Sequence, residues 1–298
     1  LIAEKYPEMK IVGNQITFNI LSNFFAVDLS SRKVIVSEGD ILDIGKHKLQ
    51  FIMAPMVHWP EVMVTYEQTE KILFSADAFG KFGALDVDEE WDCEARRYYF
   101  GIVGKYGDQV QALLKKASNL EINTICPLHG PVLKENLEHY IERYQTWSSY
   151  EPEEDGIFIA CSSIYGNTLN AAKKFAAILR EKGNKKVVVA DLTREDWAEA
   201  VEDAFRYSTL VVASSSYNMG LFPPMEHFLD HLKERNYQKR RVAIIENGSW
   251  APSSGRCMKK MLQEMKNLDI IEQTVTIKSR MNKQNEEQMN KLAEELLK

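Results

Sequence analysis

Short apolar runs alternate with amphipathic segments throughout residues 152–298. The runs have the length of buried strands, and the segments between them carry apolar residues at helical spacing. The predicted strands are 157–161, 187–190, 210–214, 242–246 and 270–277, and the predicted helices are 167–182, 198–205, 224–234, 254–267 and 282–297. Strict alternation favours a parallel sheet covered on both faces. Right-handed crossovers then predict a doubly wound, five-stranded α/β sheet with its ligand at the carboxyl ends of the strands.

Residues 1–151 show a less regular pattern. Strand-like runs lie at 10–12, 34–36, 48–54, 63–66, 71–75 and 122–126, and helical patterns lie at 16–25, 90–99 and 108–120. This mixture predicts an α+β fold or a layered α/β sandwich. A further helical pattern over 135–147 stops in a stretch of serine, proline and acidic residues between Tyr144 and Gly156, which is typical of a linker. We therefore predict two domains, 1–151 and 152–298.

Composition and charge narrow the classes of function. Hydrophobic residues make up 45% of the 298 residues, so the chain can bury a sizeable core. The net charge of −6, with no basic run longer than Lys239-Arg240-Arg241, argues against a nucleic-acid partner. The apolar runs are too short to span a membrane, and we expect no signal peptide. Four scattered cysteines are predicted to be buried free thiols of a reducing cytoplasm: Cys93, Cys126, Cys161 and Cys257.

The loop after the first strand of the second domain carries the densest chemical signal. Small hydroxyl-bearing residues and one glycine directly precede a helix that starts at Asn167 or Thr168. Successive backbone N–H groups and the helix N-terminus form a nest for an anion. The loop lacks lysine, arginine and the glycine spacing of dinucleotide-binding loops, which favours a monophosphate ligand. The alternative is that its polar residues form only an ordinary helix cap. The candidate residues are Ser162, Ser163, Ile164, Tyr165, Gly166, Asn167 and Thr168.

Two later loops follow strands that end at the same edge of the predicted sheet. Each brings an aromatic residue together with small residues that let the backbone approach a planar ring. Taken alone, each aromatic residue also fits a surface anchor of its loop. The candidate ring contacts are Ser214, Ser216, Tyr217, Asn218, Met219 and Gly220 in one loop, and Asn247, Gly248, Ser249 and Trp250 in the other.

Three residues of the first domain follow predicted strands. They are His58, Asp77 in the turn Ser75-Ala-Asp-Ala-Phe-Gly80, and His129 before Gly130. An imidazole, a carboxylate and a second imidazole on strand-to-loop turns suit a two-metal site in which Asp77 bridges the ions. Taken singly, each histidine also fits a packed core residue.

The three loops together make residues 152–298 similar to a flavodoxin, and in particular to the flavodoxin module of the flavodiiron proteins (A-type flavoproteins). This resemblance implies that 162–168 hold the phosphate of a non-covalently bound FMN. It also implies that 214–220 and 247–251 flank the isoalloxazine ring. The family commonly shows Gly-Ser-Tyr-Gly-Trp in the last loop, where this sequence reads Gly248-Ser249-Trp250, so the residue that stacks on the flavin stays open.

The order of His58, Asp77 and His129 resembles the later part of the metallo-β-lactamase-like αββα domain of the same family. In that family a preceding His-x-Glu-x-Asp motif supplies further iron ligands, and this sequence, which begins with Leu1, does not contain it. The resemblance therefore implies two iron ions in the intact protein and an incomplete ligand set within residues 1–298. Either a fragment or a reading frame that starts late would account for this.

The resemblance implies an oxidoreductase that passes electrons from FMN to a diiron site and reduces dioxygen to water, nitric oxide to nitrous oxide, or both. His58, Asp77 and His129 would be its catalytic metal ligands. A rubredoxin or a rubredoxin reductase-type protein is the implied electron donor, and a head-to-tail homodimer in the cytoplasm is the implied assembly. Two alternatives stay open: an FMN electron carrier with a degenerate metal domain, and a zinc hydrolase of the metallo-β-lactamase class. Metal analysis would separate the three.

Overall fold

A computed structural model describes residues 2–26, 28–87, 89–183 and 186–298. Leu1, with which the sequence begins, lies outside the described residues. The chain divides into two compact units, Leu1–Ser148 and Ser149–Lys298.

The first unit is built around a five-stranded sheet with the order β3-β4-β5-β6-β7. Neighbouring strands from β3 to β6 are antiparallel, whereas β6 and β7 are parallel, and β1 and β2 form a separate parallel pair. The elements are α1 Ile2–Lys5, β1 Ile11–Gly13, α2 Gln15–Phe24, β2 Lys33–Ile35, β3 Ile41–Asp43, β4 Lys48–Met53, β5 Met63–Glu67, β6 Ile72–Phe74, α3 Trp91–Ile102, a 3-10 turn Gly104–Tyr106, α4 Gly107–Ala117, β7 Thr124–Cys126 and α5 Leu137–Ser148.

The predicted elements of the first unit are present with shifted ends. The six predicted strands correspond to β1, β2, β4, β5, β6 and β7, and the predicted helices correspond to α2, α3, α4 and α5. The hydrophobic pattern did not predict α1 and β3. Helix α1 is a single short turn, and the ends of β3 are exposed, so neither element shows an apolar face in the sequence. Helix α4 ends at Ala117 and not at Leu120 as predicted, since Leu120 closes a turn onto the carbonyl of Ala117.

The second unit is a doubly wound parallel sheet with the strand order β13-β12-β10-β8-β9, as the alternating pattern predicted. The first strand of the unit, β8, lies between β9 and β10, so the chain reverses direction across the sheet at that point. The elements are β8 Glu154–Ser162, α6 Asn167–Glu181, β9 Val187–Asp191, α7 Trp197–Arg206, β10 Tyr207–Tyr217, β11 Gly220–Leu221, α8 Pro223–Glu234, β12 Arg240–Asn247, α9 Ser254–Gln263, β13 Leu268–Ile277 and α10 Lys283–Leu296.

Local chemistry explains where the helices of this unit begin and end. Asp196 caps α7 by accepting from the backbone N–H of Ala198, and Asn282 forms a capping box with Asn285 at the start of α10. Helix α9 was predicted to reach Asn267 but ends at Gln263, because a turn with Asn267 at φ 51° leads directly into β13. The short strand β11, which was not predicted, pairs antiparallel with the end of β10.

The core of the second unit explains its apolar runs. Strand β8 is almost entirely buried, as expected for a parallel strand with helices on both faces. Helices α6 and α10 pack against one face, where Phe175 and Met289 are fully buried among side chains of β8, β10, β12 and β13. Because helices cover both faces, the carboxyl ends of the strands are left as the open edge of the sheet.

Across the described residues, no helix has the length and apolarity that a membrane crossing requires. All four cysteines are free thiols, but only Cys161 is buried, so the prediction that all four are buried was wrong. The other three lie at partly exposed positions, two of them on helices that pack with one face only.

Candidate functional site

A cavity of about 290 Å³ lies where the strands of the second unit end. Three loops line it, and they are the three that the sequence singled out. A fourth wall comes from Ser279, after β13. The lining residues are Ser163, Ile164, Tyr165, Asn167, Thr168, Ser215, Ser216, Tyr217, Asn218, Met219, Asn247, Gly248, Ser249, Trp250, Ala251 and Ser279. None of these carries a charged side chain, which suits a phosphate bound by dipoles.

Four of the predicted contact residues do not line this cavity. Ser162 and Ser214 are fully buried, and their hydroxyl oxygens lie 2.9 Å apart across the paired strands β8 and β10. Gly166 and Gly220 shape the loops instead of forming the wall. Gly166 takes a left-handed conformation before α6, and Gly220 accepts a hydrogen bond from the Ser253 hydroxyl through its carbonyl.

The loop between β8 and α6, here called the phosphate loop, retains hydrogen-bonding groups that have no partner within the described part of the chain. Gly166, with φ 85° and ψ −14°, is the N-cap of α6, and no side chain among the described residues caps this helix start. The Ser163 hydroxyl oxygen is shielded from solvent and has no hydrogen-bond partner in the described part of the chain. A buried hydroxyl without a partner costs free energy, and a phosphate oxygen in the nest would satisfy it. The loop therefore fits an FMN phosphate.

The second loop is a tight hairpin that presents Tyr217. Strands β10 and β11 pair through Tyr217 and Gly220, with only Asn218 and Met219 between them. Both of these residues have positive φ, 52° and 62°, which is the backbone of a type I′ turn. A methionine in this conformation is strained, and such strain concentrates at functional loops. Tyr217 is 49% exposed, so its ring is available to a ligand.

The third loop is held close to the second and to the chain after β13. A Cβ atom on Gly248 would lie 2.8 Å from the Pro252 Cα and 3.0 Å from the Ser216 hydroxyl oxygen, so only glycine fits. The Asn247 side chain donates to the Ser279 carbonyl at 3.0 Å and accepts from its N–H at 2.9 Å. Trp250 follows these tightly held residues in the loop, and its side chain is 86% exposed. Tyr217 and Trp250 are therefore the aromatic candidates that these two loops offer for stacking on a flavin.

Ser163→Ala is expected to raise the Kd for FMN roughly tenfold or more, because a hydrogen bond to a charged group is lost. The apoprotein should keep its free energy of unfolding, since this hydroxyl has no partner without ligand. Ser162→Ala is the matched control. It removes the bond to Ser214 and should lower the free energy of unfolding by about 1 kcal/mol with little effect on Kd. Flavin-fluorescence titration and urea unfolding measure both, and equal FMN affinity of Ser163→Ala and the parent would contradict the assignment.

The three candidate metal ligands of the first unit come together. One carboxylate oxygen of Asp77 lies 3.6 Å from the His58 Nε2, and the other lies 3.6 Å from the His129 Nε2. These separations are longer than hydrogen bonds but close to those of two donors that share one metal ion at about 2.1 Å each. Asp77 thus directs one oxygen towards each imidazole, as a carboxylate between two metal ions does.

Surrounding residues fix the orientation of this group. The Tyr98 hydroxyl donates to Asp77 at 3.2 Å, and burial, with the nearby Asp77 charge, raises the pKa of Tyr98, so the phenol keeps its proton. The backbone N–H of Leu128 donates to the carbonyl of Ala76 at 2.9 Å and joins the two ligand loops. Tyr98 was not predicted as part of the site, because an aromatic residue on a helix is usually part of the core.

Backbone strain also concentrates here. Met56, Ala76 and Phe79 all have positive φ between 52° and 66°, and each lies within two residues of His58 or Asp77. Gly130, directly after His129, has φ 86°, and a Cβ atom there would lie 3.0 Å from the Lys81 Cγ. Strained residues that the surrounding structure maintains are common at ligand sites. The donor set fits two metal ions, although three side chains alone do not complete the coordination of both.

Several known proteins are similar to this chain. A family model described as ODP family beta lactamase matches residues 2–130. An uncharacterized protein of Methanocaldococcus jannaschii is 32% identical over 207 residues, which are 67% of this chain and 52% of that protein. The anaerobic nitric oxide reductase flavorubredoxin of Vibrio vulnificus is 31% identical over 226 residues, which are 72% of this chain and 46% of that protein. The chain thus spans about half the length of the curated relatives it matches.

Similar folds occur among solved structures. A histidine variant of the flavo di-iron protein from Thermotoga maritima has a TM-score of 0.83 at 26% identity, covering 96% of this chain and 73% of that one. The rubredoxin oxygen:oxidoreductase of Desulfovibrio gigas has a TM-score of 0.87 at 21% identity, with the same two coverages of 96% and 73%. At that identity the likeness to the Desulfovibrio protein concerns the fold alone.

Proposed function

Since this chain belongs to the flavodiiron protein family, we propose that it forms part of an enzyme that passes electrons from FMN to a diiron site and reduces dioxygen to water, nitric oxide to nitrous oxide, or both. Proteins of this family are oxidoreductases that carry FMN and a diiron site. The observation that carries the proposal is Asp77, whose two carboxylate oxygens each lie 3.6 Å from the imidazole of a different histidine.

The three candidate ligands of the first unit would bind the metal ions in different ways. His58 and His129 would each bind one ion, and Asp77 would bind both. Bound ferrous ions supply the redox chemistry and the coordination positions for a diatomic substrate. The Tyr98 hydroxyl keeps one Asp77 oxygen oriented through its 3.2 Å hydrogen bond, as an outer-sphere partner of a metal ligand does.

The residues of the second unit would hold the flavin. The first turn of α6, Ser163 and Thr168 would bind the phosphate without a countercharge. The Thr168 hydroxyl is positioned for this by its 2.8 Å contact with the Ser215 hydroxyl. Tyr217 and Trp250 would enclose the isoalloxazine ring. Both side chains are exposed, so an electron-donor protein could come close to the flavin at this side.

Acid treatment of the purified protein is expected to release FMN and not FAD. The reason is that the loop before α6, which lines the cavity of about 290 Å³, lacks the glycine spacing of a dinucleotide-binding loop and suits a monophosphate. Chromatography of the released flavin, with metal analysis of the same preparation, tests this directly. Recovery of FAD would overturn the flavin assignment. Zinc with hydrolytic activity, in place of iron, would overturn the diiron assignment.

The partners belong to the same proposal. A rubredoxin or a rubredoxin reductase-type protein would reduce the flavin, and a head-to-tail homodimer would bring the flavin of one subunit to the iron of the other. The four free thiols are consistent with a reducing, cytoplasmic compartment. Stopped-flow reduction by a reduced rubredoxin and light scattering test the donor and the dimer, and a monomer with full activity would contradict the assembly.

A further inference from the structure

Two histidines on the outer side of α8 form a pair that the flavin and the diiron site do not use. His227 and His231 lie one helical turn apart, and their Nε2 atoms approach to 2.9 Å. The His227 side chain is exposed and that of His231 is 19% exposed, so solvent reaches the pair. Neither residue lines the flavin cavity.

We propose that His227 and His231 form a binding site for a divalent transition-metal ion that prefers imidazole, such as Cu²⁺, Ni²⁺ or Zn²⁺. Two imidazole nitrogens that share an ion at about 2.0–2.1 Å each are separated by about 3.0–3.4 Å, depending on the angle at the metal. The observed 2.9 Å is close to that range. Spacing of four residues on a helix directs both rings to the same side, so one ion can reach both nitrogens.

The neighbouring Trp197 holds the rings in this arrangement. The His231 ring stacks on Trp197, with centroids 4.2 Å apart and planes inclined by 14°. The His227 ring meets His231 edge-on at 76°, which brings its Nε2 towards that of His231. A pair that is already oriented loses less side-chain entropy on binding an ion than two freely rotating histidines do.

The other nitrogen of His231 has an arginine donor and a carboxylate acceptor within reach. Arg235 donates to its Nδ1 at 2.9 Å, and a carboxylate oxygen of Glu234 lies 3.4 Å from the same atom. Arginine can only donate, so without metal the ring proton is on Nε2 and is shared with His227. A metal ion at Nε2 would shift that proton to Nδ1. The Nδ1–H would then donate to the Glu234 carboxylate, and the hydrogen bond from Arg235 to Nδ1 would be lost. Carboxylates commonly support metal-bound histidines in this way.

Titration of the FMN-loaded protein with Cu²⁺ in chelator-free buffer tests the site. Cu²⁺ is the tightest-binding of these ions, and it should quench Trp197 fluorescence because that ring stacks on a ligand. The Trp197→Phe variant should lose this quenching, which would assign the signal to Trp197. His227→Asn and His231→Asn should each weaken this binding more than about tenfold, and Glu234→Gln should weaken it by about tenfold. His139→Asn, a histidine of the first unit paired with Asp92, is the matched control and should titrate like the parent.

The two histidine variants also separate a chelate from a single exposed imidazole. Equal and large losses in both variants, with retained FMN content and circular dichroism, support a shared ion. Loss in His227→Asn alone would indicate an isolated exposed histidine, and unchanged titration of either variant would show that the pair is only a hydrogen bond. Either of these results overturns the proposal.

Discussion

Asp77→Asn is expected to lower the affinity for iron more than about 100-fold and to remove most of the turnover, while the FMN content stays unchanged. Loss of outer-sphere partners alone typically costs 10–100-fold in metal affinity, and Asp77 is proposed to bind the metal directly. Asparagine keeps one oxygen donor but loses the charge and the second oxygen, so it cannot serve both His58 and His129. The measurement is metal and flavin analysis of a preparation that retains iron, together with an oxygen-electrode assay.

The chain offers a matched control for this variant. Asp92 is also paired with a histidine in the first unit, at 2.7 Å from His139, and with Arg143 at 3.0 Å. Asp92→Asn should therefore retain iron and turnover. Tyr98→Phe should give an intermediate result, about tenfold weaker iron binding, because Asp77 loses its orienting hydrogen bond. Full iron occupancy in Asp77→Asn, or equal losses in Asp77→Asn and Asp92→Asn, would remove Asp77 from the site.

Gly166→Val is expected to raise the Kd for FMN at least about tenfold. A valine at φ 85° costs at least about 1–2 kcal/mol, and the loop can relieve this strain only by turning the N–H groups of the phosphate nest away. A clash with the protein itself is not the cause, because a Cβ atom on Gly166 would meet no described protein atom within 4 Å. Titration of the apoprotein with FMN, followed by flavin fluorescence, measures the effect.

Gly183 provides the control at the other end of α6. It also has a positive φ, 106°, and a Cβ atom there would meet nothing within 4 Å. Gly183→Val should therefore lower the free energy of unfolding by a similar 1–2 kcal/mol or so, yet leave FMN affinity unchanged. If both valine variants bound FMN as the parent does, the loop at residues 162–168 would not be the phosphate site. If both lost FMN equally, general destabilisation would explain the loss.

The sequence alone determined the architecture of the second unit and the edge at which a ligand would bind. Strands such as β8 are buried on both faces, so they appear as continuous apolar runs between amphipathic helices. The strands of the first unit were harder to predict from the sequence, because strands of three residues, such as β3, are too short for a periodic pattern. The grouping of His58, Asp77 and His129 was predicted from the places where strands end and from a family resemblance.

Only the tertiary structure decided which side chains of these loops face the site. Ser162 and Ser163 are alike in sequence, but the first bonds to Ser214 beneath the loop and the second faces the cavity, because side chains alternate along a strand. Ser279 and Tyr98 reach the two sites from elements distant in sequence, through hydrogen bonds to Asn247 and Asp77. Local patterns report which face of an element is apolar. Contacts between elements depend on how those faces pack, and that is settled only when the whole chain folds.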